Sequence, residues 1–305
     1  MLRYVMSRSS ISPRRSRTLC CCAAAIAVAV TGACSDAHRA TGPLEPATPT
    51  FAGFPGFDIG VYPGDPTLAA WRYPTSPYHW VGYYLAAPCH RDVTWMGQYK
   101  KVTDLGWGTA VIYVGQQDWS QIPDLVTLSR RAIASPLLDR IGEPSVSTAV
   151  TCSASLLTAD QGAAEAADAI AKTASEGVPA GSAIFLDIEY VTTVSEPLVT
   201  YMSAWIGGVL ADGRYRPAIY CAKSNASAVY AAASQAYTAA GRHDAPAFWI
   251  AASSGFAITR APTDVGLAYA SVWQGLFDIS QTWGGIAATI DVDVASTPSP
   301  SAAAK

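Results

Sequence analysis

The chain has 305 residues, of which 50% are hydrophobic and 14% are charged, so it is long enough for one large domain or two small ones and too apolar to be intrinsically disordered. Its 20 basic and 23 acidic residues give a net charge of −3 at pH 7. Binding to a phosphate backbone requires a basic surface, which this composition does not offer. We therefore expect no nucleic-acid partner.

The first 33 residues have the features of an export signal. Five arginines precede an apolar run from Leu19 to Val30, which is too short to cross a bilayer and has the length of the central region of a signal peptide. The run is followed by the sequence TGAC at residues 31–34, which resembles a bacterial lipobox, and a plain cleavage site is the alternative. The pair Arg14-Arg15 is compatible with export by the twin-arginine route, and the Sec route is the alternative.

The lipobox predicts that Cys34 becomes the lipidated first residue of the mature chain. Several acyl chains, at about 0.8 kcal/mol per buried methylene, would hold the protein on a membrane where one chain would not. We expect an exported protein that is anchored to the bacterial membrane or cell surface through this lipid alone, with secretion as the alternative. Loss of the five leader arginines leaves 15 basic and 23 acidic residues, a net charge of about −8.

Two segments without hydrophobic periodicity flank the central part of the chain. Residues 34–53 are rich in Pro, Thr and Ala and are predicted to form a disordered tether. Residues 296–305 are predicted to form a disordered tail. Residues 54–295 between them are predicted to form one domain.

Three cysteines remain after the signal peptide and Cys34 are set aside. Cys89 and Cys152 lie in loop-like sequence, whereas Cys221 lies inside an apolar strand. An exported protein meets an oxidising compartment that permits disulfides. We therefore predict a disulfide between Cys89 and Cys152.

Short β-rich runs alternate with helical ones in the central domain, which is typical of a parallel α/β architecture. The predicted strands cover residues 56–61, 79–86, 109–115, 183–190, 217–222, 247–253, 270–275 and 288–295. Eight strands with intervening helices predict a single (β/α)8 TIM-like barrel of the α/β class. Residues 116–157 form an oversized connection within it.

Capping residues and terminal glycines mark the predicted helices. The markers are Asp65 before Pro66, Asp92 with Gly106, Thr158 and Gln161 with Gly177, Gly213 as the end of a helix that follows Tyr190, and Gly241 after a helix over 224–240.

Five carboxylates lie on three of the predicted strands. Asp187 and Glu189 are two positions apart on the fourth strand, so their side chains point to the same face. Asp58 lies late in the first strand, and Asp291 and Asp293 repeat the two-residue spacing on the last, which closes next to the first. Since the active site of such a barrel lies at the C-terminal strand ends, we expect the five to converge on one rim.

Clustered carboxylates raise the pKa of at least one member, which leaves a protonated acid beside an ionised partner. A glycosidase uses this pair of states to protonate the glycosidic oxygen and to stabilise the oxocarbenium-like centre. Asp291 and Asp293 could instead cap or salt-bridge loops, and such a cluster also suits calcium or magnesium, although no EF-hand-type loop is present. His79 and His90 lack partners at metal-ligand spacing, so no metal and no cofactor are predicted.

Six segments resemble the strand signatures of glycoside hydrolase family 25, the lysozyme-type muramidases. They are "GFDIG", "FLDIE", "RPAIYCA", "FWIAAS", "VWQG" and "IDVDV", in this order along the chain. The segments "GFDIGVYP", "VGYYLAAP" and "LGWGTAVIYVGQQ" are also similar to the related glycoside-hydrolase-like domain of unknown function 1906, found in exported bacterial proteins. The similarity spans about residues 54–295.

This resemblance implies a cell-wall-directed, glycosidase-like protein that hydrolyses or recognises a polysaccharide of the peptidoglycan type. It implies that Glu189 is the general acid and Asp187 its partner. It places Asp58 and Asp291 at the sugar subsite, with Gln274 and Trp249 lining it. Asp293, Tyr84 and Gln116 are further predicted substrate-binding residues. The chain departs from the muramidases at Ser253, where they usually have an aromatic residue, and in the "YVGQQ" end of the third strand. A catalytically inactive glycan-binding envelope protein with the same barrel is the alternative, and we expect a monomer in either case.

Overall fold

The computed structural model describes residues 51–119 and 152–303. The predicted signal peptide, Cys34 and most of the tether lie outside the described residues, as does most of the long connection after the third strand. Within the two described ranges, no helix has the length and apolar character needed to cross a membrane.

Eight strands form one closed barrel in chain order, which confirms the predicted TIM-like fold. The strands are β1 (Phe54–Asp58), β2 (Trp80–Tyr84), β3 (Gly108–Val114), β4 (Ala183–Ile188), β5 (Arg216–Ala222), β6 (Ala247–Ala251), β7 (Ala270–Trp283) and β8 (Ile286–Ala295). Helices follow most of the strands and cover the outside of the barrel. They are α1 (Asp65–Trp71), α2 (Tyr99–Asp104), α3 (Ala159–Ser175), α4 (Glu196–Asp212) and α5 (Lys223–Ala239).

The last strand runs in the opposite direction to the others, which the sequence did not predict. Strands β1 to β7 are parallel, whereas β8 pairs antiparallel with both β7 and β1. A β-hairpin through Gly284 and Gly285 replaces the helix that would connect two parallel strands. The first half of β8 therefore lies at the C-terminal end of the parallel strands.

Two of the predicted helix starts differ from the structure. Helix α1 has Gly64 as its N-cap, so Asp65 is the first helical residue rather than the cap. Asp92 accepts hydrogen bonds from Thr94 in a turn, and helix α2 begins only at Tyr99. Gly97 has a positive φ of 78°, which a continuous right-handed helix cannot accommodate.

The three longer helices begin and end near the predicted positions. Thr158 caps α3 by accepting a hydrogen bond from the Gln161 N–H at 3.2 Å. Gly213 ends α4 in the left-handed conformation, with φ of 76°. Helix α5 begins one residue before the predicted start and ends one residue before the predicted end.

The prediction of a disordered tail is wrong for residues 296–303. Ser301 is only 1% exposed, and it crosses the N-terminal ends of β3 and β4. Its N–H donates to the Thr109 carbonyl at 2.9 Å, and its hydroxyl accepts from the Val111 N–H at 2.7 Å. The Ala183 N–H donates to the Ser301 carbonyl at 2.8 Å. The tail is ordered because it satisfies backbone groups that strand pairing leaves open.

Cys89 and Cys152 are joined by a disulfide, which is the predicted pairing. Cys221 is a free, buried thiol in β5. The disulfide links the loop after β2 to the segment that leads into α3.

Candidate active site

A small pocket, with a cavity volume of about 60 Å³, opens at the C-terminal end of the parallel strands. Its lining residues are Asp58, Tyr84, Ile112, Asp187, Glu189, Tyr220, Trp249, Gln274 and Asp291. Only Ile112 and Tyr220 among them were not predicted from the sequence. Both lie in segments that carry the family resemblance, "LGWGTAVIYVGQQ" and "RPAIYCA", but neither has a charged side chain that would have marked it as a site residue.

The antiparallel direction of β8 determines where its two aspartates lie. Asp291 is the register partner of Asp58, the last residue of β1, so it reaches the pocket. Asp293 lies opposite Gly56 and Gln274, one step deeper in the barrel, and is fully buried. In a parallel β8 this order would be reversed, with Asp293 nearer to the rim.

The Asp58 carboxylate is held by two neutral donors. Tyr84 donates its hydroxyl to Oδ1 at 2.6 Å, and Gln274 donates Nε2 to Oδ2 at 2.8 Å. On β2, Gly82 makes room for this carboxylate, because a Cβ there would lie 2.6 Å from the Cβ of Asp58. Burial raises the pKa of Asp58 despite these hydrogen bonds, and the negative charge of Glu189 adds to the effect.

Gln274 is fixed in one orientation by its neighbours. Its Oε1 accepts from the Tyr220 hydroxyl at 2.6 Å, so its amide nitrogen must face the carboxylates. That nitrogen lies 2.8 Å from Asp58 and 3.0 Å from Asp291. One amide group therefore bridges two acids on opposite sides of the β1–β8 seam.

Trp249 lines the pocket, whereas Asp293 lies deeper in the barrel and does not line it. The indole N–H of Trp249 donates to Oδ1 of Asp293 at 3.0 Å. Burial, followed by the charges of Asp58 and Asp291, raises the pKa of Asp293 well above its usual range. Its Oδ2 is buried and has no hydrogen-bond partner.

Asp187 is the penultimate residue of β4, and its carboxyl group faces the pocket. It is 6% exposed, and burial raises its pKa well above the usual range, with further contributions from the negative charges of Glu189 and Asp58. Its Oδ1 is buried and has no hydrogen-bond partner. Since buried polar atoms are nearly always paired, this oxygen is open to a donor from a bound molecule.

Glu189 lies at the mouth of the pocket, one residue beyond the end of β4, and its side chain is solvent-accessible. Partial desolvation by the surrounding protein still raises its pKa, and the negative charge of Asp291 raises it further. Burial likewise raises the pKa of Asp291 to about 7, with Asp58 as the next cause. Asp291 thus has a pKa close to neutral pH.

Gln117 holds the backbone of the two candidate catalytic residues, and the sequence analysis missed it. Its side chain is 1% exposed. Its Nε2 donates to the Asp187 carbonyl at 2.8 Å and to the Gly115 carbonyl at 3.2 Å, while its Oε1 accepts from the Glu189 N–H at 3.0 Å. The amide continues the hydrogen bonding between β3 and β4 beyond the last paired residues.

The prediction that Gln116 binds substrate is wrong. Its amide nitrogen donates to Glu165 on α3 at 2.6 Å, and its Oε1 accepts from the Ser153 N–H at 2.8 Å. Both partners lie outside the barrel, away from the pocket. Because neighbouring residues on an extended chain face opposite sides, Gln117 rather than Gln116 faces the site.

Over the described parts of the chain, no group of three or more His, Cys, Asp or Glu side chains has a geometry that could hold a metal ion. The ring of His90 lies against that of Tyr84, with centroids 4.8 Å apart, and burial lowers the pKa of His90. This histidine supports a pocket residue by packing.

A sequence profile described as "Rv2525c-like, glycoside hydrolase-like domain" matches residues 69–295. The chain belongs to this family. The resemblance to glycoside-hydrolase-like proteins is therefore confirmed. Strand β1 and Asp58 precede the matched residues, but the structure places them in the same barrel. Comparison with curated protein sequences finds no significant match.

Three of the solved structures to which the chain is similar are the following. An uncharacterised protein from B. stearothermophilus has 16% identity over 80% of this chain and 96% of its own, with a TM-score of 0.48. A lysozyme from Streptomyces coelicolor has 14% identity over 81% and 93%, with a TM-score of 0.47. The Tat-secreted protein Rv2525c of Mycobacterium tuberculosis, in complex with L-tartrate, has 15% identity over 81% and 96%, with a TM-score of 0.44.

Proposed function

We propose that the protein is an exported glycoside hydrolase that acts on a cell-wall polysaccharide of the peptidoglycan type. The observation that carries the proposal is the pairing of Asp187 and Glu189, one buried and one accessible, at a pocket in the barrel of a glycoside-hydrolase-like family. Both have a raised pKa. The surrounding phenol, amide and indole groups are of the kind that contact sugar hydroxyls and ring faces.

In this proposal Glu189 is the general acid. It gives its proton to the glycosidic oxygen as the bond from that oxygen to the anomeric carbon breaks, so the leaving sugar departs as a neutral alcohol. Asp187, or an acetamido group of the substrate that Asp187 orients, stabilises the oxocarbenium-like centre. Water then adds to the anomeric carbon, and Glu189 recovers a proton from it.

The second candidate is a glycan-binding envelope protein without turnover. The strongly raised pKa of Asp187 favours it, because a protonated Asp187 cannot stabilise a positive centre as an anion does. The two candidates share the pocket and the ligand class, and they differ in the fate of the bound glycan.

The test compares the wild-type protein with Glu189→Gln on purified bacterial peptidoglycan, with new reducing ends detected by mass spectrometry of the soluble fragments. Loss of the acid is expected to lower the rate by about 10²- to 10⁴-fold while cosedimentation with peptidoglycan is retained. Glu196→Gln, in the first turn of α4, is the matched control and should keep full activity. Binding by both proteins without release of fragments would favour the glycan-binding candidate.

The signal-like leader supports export, and the lipobox pattern supports anchoring through Cys34. Expression of the full chain and of Cys34→Ser, followed by membrane fractionation and mass spectrometry of the mature N-terminus, tests both points. We expect acylated protein in the membrane fraction and release by the substitution. Membrane-bound Cys34→Ser protein would contradict the lipid anchor.

A further inference from the structure

The pocket contains acids without a basic counterpart in the described chain. Four carboxyl groups line it, those of Asp58, Asp187, Glu189 and Asp291, and none of its lining residues is Lys, Arg or His. The groups that raise or lower the pKa values of these acids are other carboxyls and hydrogen-bond donors. A cationic ligand would favour the ionised forms of these acids and be attracted by them, whereas an anionic ligand would find no positive partner among the lining residues.

Asp187 adds a second, independent indication of the ligand. Its Oδ1 is buried, faces the pocket and receives no hydrogen bond. The oxygens of Asp58 are already bonded to Tyr84 and Gln274. A bound molecule that brings an additional donor to the inner part of the pocket would therefore find its acceptor in Asp187.

We propose that the pocket selects a hexosamine unit whose 2-amino group is free and protonated, as in a de-N-acetylated stretch of glycan. This inference rests on the proposed function and names its substrate class. An ammonium group has three donors and a positive charge, whereas an acetamido group has one N–H and no charge. The aromatic rings of Tyr84, Tyr220 and Trp249 line the pocket and are left to contact the neutral parts of the sugar.

A metal ion fits the site less well than an organic cation does. Among residues 51–119 and 152–303, no set of acids has a metal-binding geometry. Two of the carboxylate oxygens that a metal would need are occupied by the side chains of Tyr84 and Gln274. A single ammonium group needs only a few acceptors on one side, and Asp187 offers a free one.

Binding of a cation to these acids must be linked to protons. Asp291, with a pKa raised to about 7, faces Asp58 on β1, Asp278 on the β7–β8 hairpin and Glu189 after β4. A positive charge nearby favours the ionised carboxyl, so binding lowers this pKa and releases a proton at neutral pH. The affinity for an aminosugar should accordingly rise between pH 6 and pH 7.

The experiment is isothermal titration calorimetry of the purified protein with a tetramer of glucosamine and with a tetramer of N-acetylglucosamine, at pH 7 in two buffers of different ionisation enthalpy. We expect the glucosamine tetramer to bind at least about tenfold more tightly and with proton release. Asp187→Asn should remove the preference, because the amide no longer offers a carboxylate to the ammonium group. Asp104→Asn removes an exposed charge at the end of α2 and should keep the preference.

Equal or tighter binding of the acetylated tetramer would overturn the inference, as would binding of neither tetramer or a preference that survives in Asp187→Asn. Calcium binding that is lost in Asp187→Asn would assign the site to a metal and would also overturn it. Mass spectrometry of the titrated tetramers separates this inference from the proposed function. If the tetramers are hydrolysed but the glucosamine tetramer is not bound more tightly, the proposed hydrolase function holds and the inference about the aminosugar fails. If the glucosamine tetramer is bound more tightly but neither tetramer is hydrolysed, the inference holds and the hydrolase function fails.

Discussion

Gln117 shows how a single buried amide can organise a site that is made of acids. The last paired residues of β3 and β4 are Val114 with Asp187, so the chain beyond them would otherwise have open backbone groups. Gln117 pairs with two groups across the gap, the Asp187 carbonyl and the Glu189 N–H, and with the Gly115 carbonyl of its own segment. It is a positioning residue, because it acts on Asp187 and Glu189 through their backbone and does not line the pocket.

We predict that Gln117→Leu lowers the free energy of unfolding by about 1–3 kcal/mol for each buried backbone group left unpaired. It should also lower kcat more than it changes KM and shift the pH profile of kcat, because Glu189 then moves relative to Asp291. Urea unfolding and glycan-hydrolysis kinetics measure these effects. The shift can also be followed without turnover, by NMR titration of the Glu189 carboxyl.

Gln116→Leu is the matched control for this prediction. Gln116 is buried and bonded to Glu165, so its loss should also reduce stability. It faces away from the pocket, and the pH profile should stay as in the wild type. Equal pH profiles for both variants would reduce Gln117 to a purely structural residue.

Among the elements, β8 and the tail after it depart furthest from a regular (β/α)8 barrel. Antiparallel β8 brings Asp291 to the rim, and the tail crosses the opposite end of the barrel. There Ser301 supplies one acceptor and one donor to β3 and an acceptor to β4. The direction of β8 therefore affects the composition of the site, whereas the tail affects the stability of the opposite end of the barrel.

We predict that Ser301→Ala lowers the free energy of unfolding by about 1–3 kcal/mol, because the buried Val111 N–H then has no acceptor side chain. Glycan binding should not change, since Ser301 lies at the far end of the barrel from the pocket. Chemical denaturation measures the stability. Thr297→Ala, at an exposed position of the same tail, should change it by less than about 0.5 kcal/mol, and equal losses in the two variants would contradict the role of Ser301.

For the molecule as a whole, the acid cluster links stability to pH. A carboxyl whose pKa is raised in the folded state holds a proton that the unfolded chain releases. Its contribution to stability is present below the unfolded pKa, near 4, and is lost as the pH rises through the folded pKa, which for Asp291 is about 7. The lowered pKa values of His79 and His90 act in the opposite direction below pH 6.5.

We predict that Asp291→Asn becomes more stable relative to the wild type as the pH rises from 5 to 8. The difference between the two proteins removes the contribution of the histidines, which both share. Differential scanning calorimetry at four pH values measures it as a growing difference in Tm. A constant difference in Tm would mean that Asp291 titrates as it does in the unfolded chain.

Much of the fold could be predicted because it depends on local patterns. Apolar runs of strand length, helix caps such as Thr158 and terminal glycines such as Gly213 are encoded within a few residues. The spacing of Asp187 and Glu189 likewise predicts a shared face, since strand side chains alternate strictly. The failure at Asp92 came from Gly97, whose backbone conformation outweighs the helical pattern around it.

The sequence by itself determined the barrel class, the number of strands and the acids at their ends, because these follow from periodicity and residue chemistry over short distances. Only the tertiary structure decided the direction of β8, the burial of the tail around Ser301 and the choice of Gln117 over Gln116. Each depends on hydrogen bonds between groups far apart in the chain, such as Ser301 with Val111, and local patterns carry no information about such partners.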